Sequence, residues 1–162
     1  MGEGPGADED AKGIPFIGKA GQVLRGIILE VGLSLDKVFF TNLVKCLPTD
    51  GTMNTRGYYQ FRKPKQLEIG ACSPYLEKQL QLINPKVVIP LGNVPTWEWF
   101  PGTTMGETHG VLRHTGSYLV APTYHPSHVA RGATQLREVM VSDIRRACEY
   151  GSVPITTKGT TL

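Results

Sequence analysis

The chain has 162 residues, with 17 Lys and Arg against 14 Asp and Glu, a formal net charge of +3 and 40% hydrophobic residues. That length supports one domain with a real core rather than two, and the mildly basic balance permits a nucleic-acid partner without demanding one. No apolar run approaches the roughly 18–20 residues of a membrane helix, no leader-like segment opens the chain, and three cysteines are an odd number that suits a reducing compartment. A soluble, cytoplasmic protein with no membrane partner is therefore expected.

The first twenty-one residues hold six glycines, two acidic clusters and one aromatic, Phe16. A Gly-rich loop feeding a helix N-terminus gathers free backbone N–H groups and a positive dipole end. That makes a cradle for an anion or a flat polar ligand, or simply a turn. Residues 22–31 then read as an amphipathic helix, with Val23, Leu24, Ile27, Ile28 and Val31 on one face and Gly32 as its stop. Residues 38–42 are β-branched and aromatic and are predicted as a strand. Asn42 and Lys45 sit at or just past its C-terminal end, the edge where open parallel sheets bind ligands.

Residues 47–65 carry Arg56, Arg62, Lys63 and Lys65 together with Tyr58, Tyr59 and Phe61, and show no period of 2 or 3.6. They are expected as a loop, which either grips a nucleic-acid strand by phosphate contacts and stacking or is a solvated insertion. A long helix is predicted over 68–83, with Ile69, Cys72, Leu76, Leu80 and Ile83 close to one face and Pro85 beyond its end. The near-continuous apolar run 87–91 reads as a central parallel strand buried on both faces, with Pro90 at its end or on a bulge. Gly92 opens a short helical segment toward Trp97 and Phe100. Residues 101–117 are connecting structure with His109 and His114. A third strand, 118–121, breaks at Pro122 and leads straight into His125 and His128. The last amphipathic helix spans 135–150. The domain is thus expected over 1–150, with 151–162 a frayed tail.

Strands alternating with helices predict an α/β fold: three layers, with helices on both faces of a mainly parallel sheet of about four strands. A loop like the opening one should follow a strand, and none precedes it. The first strand is therefore expected to be missing, with Met1 an internal start or the chain a fragment of something longer. Three candidate sites converge on one sheet edge: the opening loop, Asn42 and the His125 loop. Taken singly, Phe16 reads as core, Asn42 as a turn cap and His125 as a satisfied structural histidine.

Gly2-Glu-Gly-Pro-Gly-Ala-Asp-Glu-Asp10 followed by Gly13-Ile-Pro-Phe-Ile-Gly-Lys-Ala-Gly21 resembles the first motif of the family-4 uracil-DNA glycosylases. Thr41-Asn-Leu-Val-Lys-Cys46 is similar to that family's second motif, Ala71-Cys-Ser-Pro-Tyr-Leu76 and Pro85-Lys-Val-Val-Ile-Pro-Leu-Gly92 to the helix and strand that follow, and His125-Pro-Ser127 with Arg131 to its closing motif. The resemblance runs in order from Gly2 to about Arg146. It implies a monofunctional hydrolase of base-excision repair that flips deoxyuridine out of DNA and cleaves its N-glycosidic bond.

Carried over residue by residue, the resemblance implies that Phe16 stacks on the flipped ring. Asn42 reads the base, donating to O4 while accepting from N3–H, an order that cytosine reverses. Glu9 lies where a thymine methyl would point. Glu3 and the backbone at Gly4 line the side where water meets the sugar, with Glu3 positioning that water or offsetting the sugar's charge. His125 stabilises the departing uracil anion through O2. Ser127 and Arg131 contact phosphates or the strand near the lesion, against the plain alternative of an exposed loop.

The same resemblance implies a 4Fe–4S cluster on four cysteines. Cys46 and Cys72 match two of them, the N-terminal pair is missing, and Cys148 matches none; no catalytic metal is implied. Thiolate ligation needs four cysteines, so the chain as it stands is expected to bind a cluster poorly or not at all. Twenty-five residues separate Cys46 from Cys72, an insertion longer than the family pattern, and it holds no histidine. That argues against the covalent trapping of relatives that carry a nucleophilic histidine there. Uracil-containing DNA is the expected partner of a monomer of bacterial, archaeal or phage-like origin. The alternatives are a uracil-DNA-binding module without turnover and a generic nucleotide-binding domain; the latter lacks the Gly-Lys-Ser/Thr ending that grips phosphates and Mg²⁺.

Overall fold

The computed structural model describes residues 1–156 apart from Asn54, Arg56 and Tyr58. Two residues of the basic and aromatic stretch, Arg56 and Tyr58, thus lie outside the described residues, as does the end of the tail. The helices are α1 (Ala7–Lys12), α2 (Lys19–Val31), α3 (Gln66–Ile83), α4 (Asn93–Thr96), α5 (Met105–Thr108), α6 (Pro126–Ala130) and α7 (Leu136–Tyr150). The strands are β1 (Thr49–Met53), β2 (Tyr59–Phe61), β3 (Val87–Val88), β4 (Arg113–His114) and β5 (Leu119–Val120). Among the described residues, no helix is long and apolar enough to cross a membrane.

The opening residues stand in the middle of the sheet. On one side Gly2 donates its N–H to the Thr41 carbonyl at 2.8 Å, and Leu43 donates to Gly2 at 2.8 Å. On the other side the Met1 amino group donates to the Ile89 carbonyl at 2.8 Å, and Leu91 donates to Met1 at 2.9 Å. Next to 87–91 lies β5, parallel to β3, with β4 antiparallel on its outer side. Four parallel segments therefore run 41–43, 1–3, 87–91 and 119–123. The place expected to lack a strand is occupied by residues 1–3, but only toward the strand ends. Behind them a cavity of about 400 Å³ opens between 38–41 and 87–89, lined by Leu24, Ile28, Val38, Leu80 and Ile89.

Helices cover both faces, as an α/β fold requires. α2 and α7 bury Leu24, Ile27, Ile28, Val31, Met140 and Ile144 with Leu91 on one face. Leu43, Leu76 and Val94 close the other, beneath α3 and α4. Each fully buried side chain of this size contributes about 1.5–3 kcal/mol, so the α2–α7 pairing is the main anchor of the sheet. Gly32 ends α2 at φ +94° in the left-handed region, as its place after the apolar stripe predicts.

Four expectations needed correction. Residues 38–42 pair only at their end and form no regular strand. The opening loop contains α1, whose N-terminus is closed by Glu9. Residues 47–65 are not a loop: β1 and β2 make an antiparallel ribbon, with Thr49 opposite Phe61 and Met53 opposite Tyr59. The tail expected to fray is fastened as far as it is described, because Val153 and Ile155 pack against the core and Thr156 donates to the Gly32 carbonyl at 3.0 Å.

Candidate functional site at the sheet edge

The strand ends stand side by side, with Asn42 bridged to Gly2 and Leu91 bridged to Thr123. Gly2 is the meeting point. A Cβ there would collide with Asn42 Oδ1 and lie 2.7 Å from Phe16 Cζ, so the amide and the ring both press on bare backbone. Asn42 is 8% exposed and Phe16 is 6% exposed. His125 arrives from the far side: its Cβ lies 3.2 Å from where a Cβ on Gly92 would be, one strand over from residues 1–3. Phe16, Asn42 and His125 are thereby placed on one edge, with Glu3 between them on the central segment.

Phe16 is held in a left-handed backbone conformation, φ +57°, a geometry that costs a bulky residue about 1–2 kcal/mol. Its surroundings impose it: Arg25 Nε donates to the Phe16 carbonyl at 3.1 Å, and Gly21 leaves room for its backbone. Strain of this kind concentrates where a side chain must be aimed. The ring also packs near Phe40, at 5.8 Å between centroids, so Phe16 belongs to the core and to the edge at once.

Glu3 has one carboxylate oxygen buried with no hydrogen-bond partner among the described residues. Burial raises its pKa above the usual carboxylate range, and Lys63 pulls the other way. Beside it, a Cβ on Gly4 would lie 2.9 Å from Val44 Cγ2 and 3.2 Å from Pro48 Cδ, so the backbone is tightly flanked. Glu9 is engaged differently. Its two oxygens accept from Gly6 N–H and Gly18 N–H, both at 3.1 Å, which fastens the two arms of the opening loop together.

His125 caps the N-terminus of α6. Its Nδ1 accepts from Ser127 N–H at 3.2 Å and faces Ser127 Oγ at 2.8 Å. An acceptor at Nδ1 puts the ring proton on Nε2 in the neutral imidazole. Burial first, and then the nearby His128, Arg131 and amino terminus, lower the His125 pKa to about 4. Ser127 therefore sets the histidine's tautomer, while Arg131 lies exposed at the end of α6 with no acidic partner among the described residues.

Two supports were not read from the sequence as such. The Lys45 ammonium donates to the Asn42 carbonyl at 2.5 Å, to Gln79 Oε1 at 2.9 Å and to Thr41 Oγ1 at 3.0 Å, pinning the segment that carries Asn42 to α3. Lys45→Met should cost about 1–3 kcal/mol through the acceptors it orphans, read as an earlier midpoint in urea; an unmoved midpoint would show that the ammonium holds nothing. The second support is Asp143, 8% exposed on α7, which accepts from Thr123 Oγ1 at 2.6 Å and faces His109 Nδ1 at 3.3 Å. It ties down the strand end leading to His125. An acidic residue on the buried stripe of an amphipathic helix was the available signal.

No group of three or more His, Cys, Asp or Glu is gathered among the described residues. Cys46 is exposed, Cys72 Sγ accepts the Lys45 N–H at 3.4 Å, and Cys148 is buried in the core, where its thiol is pushed up to about 11. Cys46 and Cys72 amount to two of the four thiolates that a 4Fe–4S cluster takes.

Residues 1–148 match the uracil DNA glycosylase superfamily. The chain is similar to a type-4 uracil-DNA glycosylase of Saccharolobus solfataricus, 40% identical over 167 residues that cover 96% of this chain and 72% of the relative. The corresponding protein of Thermotoga maritima is 33% identical over 154 residues, covering 93% and 75%. A DNA polymerase of Bacillus phage SP01 is 29% identical over 115 residues, covering 70% of this chain and 11% of the polymerase.

Proposed function

This chain belongs to the uracil DNA glycosylase superfamily, and from that membership we propose how its sheet edge works. The protein is a DNA glycosylase, a hydrolase of DNA repair that releases uracil from DNA by cleaving the N-glycosidic bond of deoxyuridine. A base stacked in a duplex is out of reach, so the nucleotide is extruded first. Phe16 is then the wall on which the uracil ring lies. Asn42 donates to O4 and accepts from N3–H. Glu9, held rigid by two backbone amides, occupies the space a thymine methyl would need.

Bond cleavage leaves positive charge on the sugar and negative charge on the uracil. His125, neutral with its proton on Nε2, donates to O2 and stabilises the anion as it forms. Glu3 sits on the sugar side next to the bare backbone of Gly4, where its unpartnered oxygen accepts from the attacking water or faces the sugar cation. Ser127 keeps the histidine oriented, and Arg131 meets a phosphate. The protein acts as a monomer.

The observation that carries this reading is Gly2, against which the base-reading amide and the aromatic ring both close. The test is release of free uracil from a deoxyuridine-containing oligonucleotide. Uracil should appear in equal amount to abasic sites that break only on alkaline treatment. Retention of the oligonucleotide without any free uracil would reduce the protein to a binding module.

A further inference from the structure

The ribbon of β1 and β2 does nothing for the core. Every residue of β2 is exposed, as is all of β1 after Thr49. A two-stranded ribbon is marginal in water by itself, and this one is held at its base. Arg62 donates to Glu68 through two nitrogens at 2.8 and 2.7 Å and to Asp50 at 2.7 Å. Arg62 N–H donates to the Pro48 carbonyl at 3.0 Å. The clamp fixes the base of the ribbon to the start of α3.

Residues opposite one another on a ribbon share a face. Met53 opposes Tyr59, and Tyr59 and Phe61 alternate on one strand, so all three fall on the same side. They are 56%, 47% and 51% exposed. An apolar, aromatic stripe left open to water on an element that buries nothing marks a contact surface. Its location says with what. The base of the ribbon is the rim of the site: Pro48 flanks Gly4, and Lys63 bears on the Glu3 carboxylate. The segment 47–65 carries four basic residues against one acidic, Asp50.

We propose that this ribbon is a binding platform for the single-stranded nucleotides flanking the flipped deoxyuridine, with Tyr59 and Phe61 stacking on successive bases and Lys63 meeting a phosphate between them, while Lys65 stays with Asp50 in the clamp at 3.6 Å. The proposal rests on the glycosylase reading, because that reading puts the sugar and its attached strand on the Glu3 side. Stacking of this kind tolerates any base sequence, since every base offers a flat face. It also explains why the ribbon is clamped by an ion-pair network rather than by apolar packing. Its apolar side chains stay free for the strand.

The experiment compares the affinity of the wild type and of Tyr59→Ala/Phe61→Ala for deoxyuridine strands of about five and about fifteen nucleotides, lengths that bracket common single-strand sites. The wild type should gain on the order of a hundredfold or more in affinity from the longer strand. The double variant should lose most of that gain, roughly tenfold for each ring removed. Tyr59→Trp/Phe61→Trp keeps both rings and should keep the gain; its loss overturns stacking. Equal affinities of the wild type and the alanine variant for the long strand overturn the proposal and leave the ribbon face to a protein partner. Uracil release by the wild type from the short strand reports the glycosylase reading separately, so the two ideas fail by different measurements.

Discussion

His125→Ala is expected to lower kcat by about 10²–10³-fold, the usual scale for one preorganised donor to a developing anion. The way the ring is held suits that proposed role. Its Nδ1 is taken up as an acceptor by Ser127, so the proton stands on Nε2. The lowered pKa of about 4 keeps the ring neutral at pH 7. A neutral donor holds the uracil anion without surrendering a proton to it, and it needs no charged group buried before the substrate arrives. Turnover that survives the substitution intact would put the leaving-group contact elsewhere. Ser127→Ala should act in the same direction but more weakly, because it loosens the tautomer rather than removing the donor.

The same numbers give the sign of the pH dependence. Glu3 has a pKa raised by burial, and His125 one lowered by it. On acidification Glu3 takes up its proton first, and His125 follows only near pH 4. The acid limb of kcat/KM for the free enzyme therefore belongs to Glu3, and Glu3→Gln should flatten it while lowering the plateau. Stability follows its own rule. The unfolded imidazole binds a proton below about 6.5 while the folded one does not until about 4. Between those values the unfolded state holds more protons, so stability is full above pH 6.5 and falls toward pH 4. The His125→Ala variant should lose this slope.

How far the sequence carried the structure depends on which signal each element offered. α2 and α7 were legible because long apolar stripes at helical spacing have one reading, and both helices form the core that the stripes implied. The sheet was less legible. Its segments are two or three residues of regular pairing each, too short for alternation to register, and residues 1–3 have no apolar pattern at all. Only the backbone bonds from Gly2 and Met1 join them to the sheet, without making a regular strand of them. The ribbon was missed for a related reason. Its two strands meet through a register irregularity between Thr49 and Met53, which breaks the period of 2 on one side.

The candidate site was read by chemistry rather than by periodicity. The opening Gly-rich loop, an amide after a predicted strand and a histidine before a proline each had a plain alternative, and their convergence on one sheet edge joined them. What no pattern could supply was the second layer of contacts. Lys45 holds the Asn42 carbonyl and Ser127 the His125 ring within their own motifs, where the pattern names the residues but not the atoms that meet, and Asp143 reaches Thr123 from a distant helix.

Asn42→Asp is the sharper test of base reading, and its expected effect is on selectivity rather than on fold. The amide offers one donor and one acceptor side by side, matching O4 and N3–H of uracil. A carboxylate offers only acceptors, which suit the exocyclic amine of cytosine and leave uracil O4 facing a negative charge. A site that must hydrogen-bond its substrate rejects a ligand lacking the match by on the order of 10⁴-fold, and the uracil-over-cytosine ratio of kcat/KM should collapse on that scale. The position amplifies the change, because Asn42 is only 8% exposed and its side-chain oxygen is wedged against Gly2. Little room is left for the side chain to turn away or for water to take over the missing donor. Lys45 holds the Asn42 carbonyl at 2.5 Å, so the backbone should stay in place while the base-reading group changes. A variant with its uracil-over-cytosine ratio unaltered would strip Asn42 of the base-reading role and return it to a turn cap at the end of a strand.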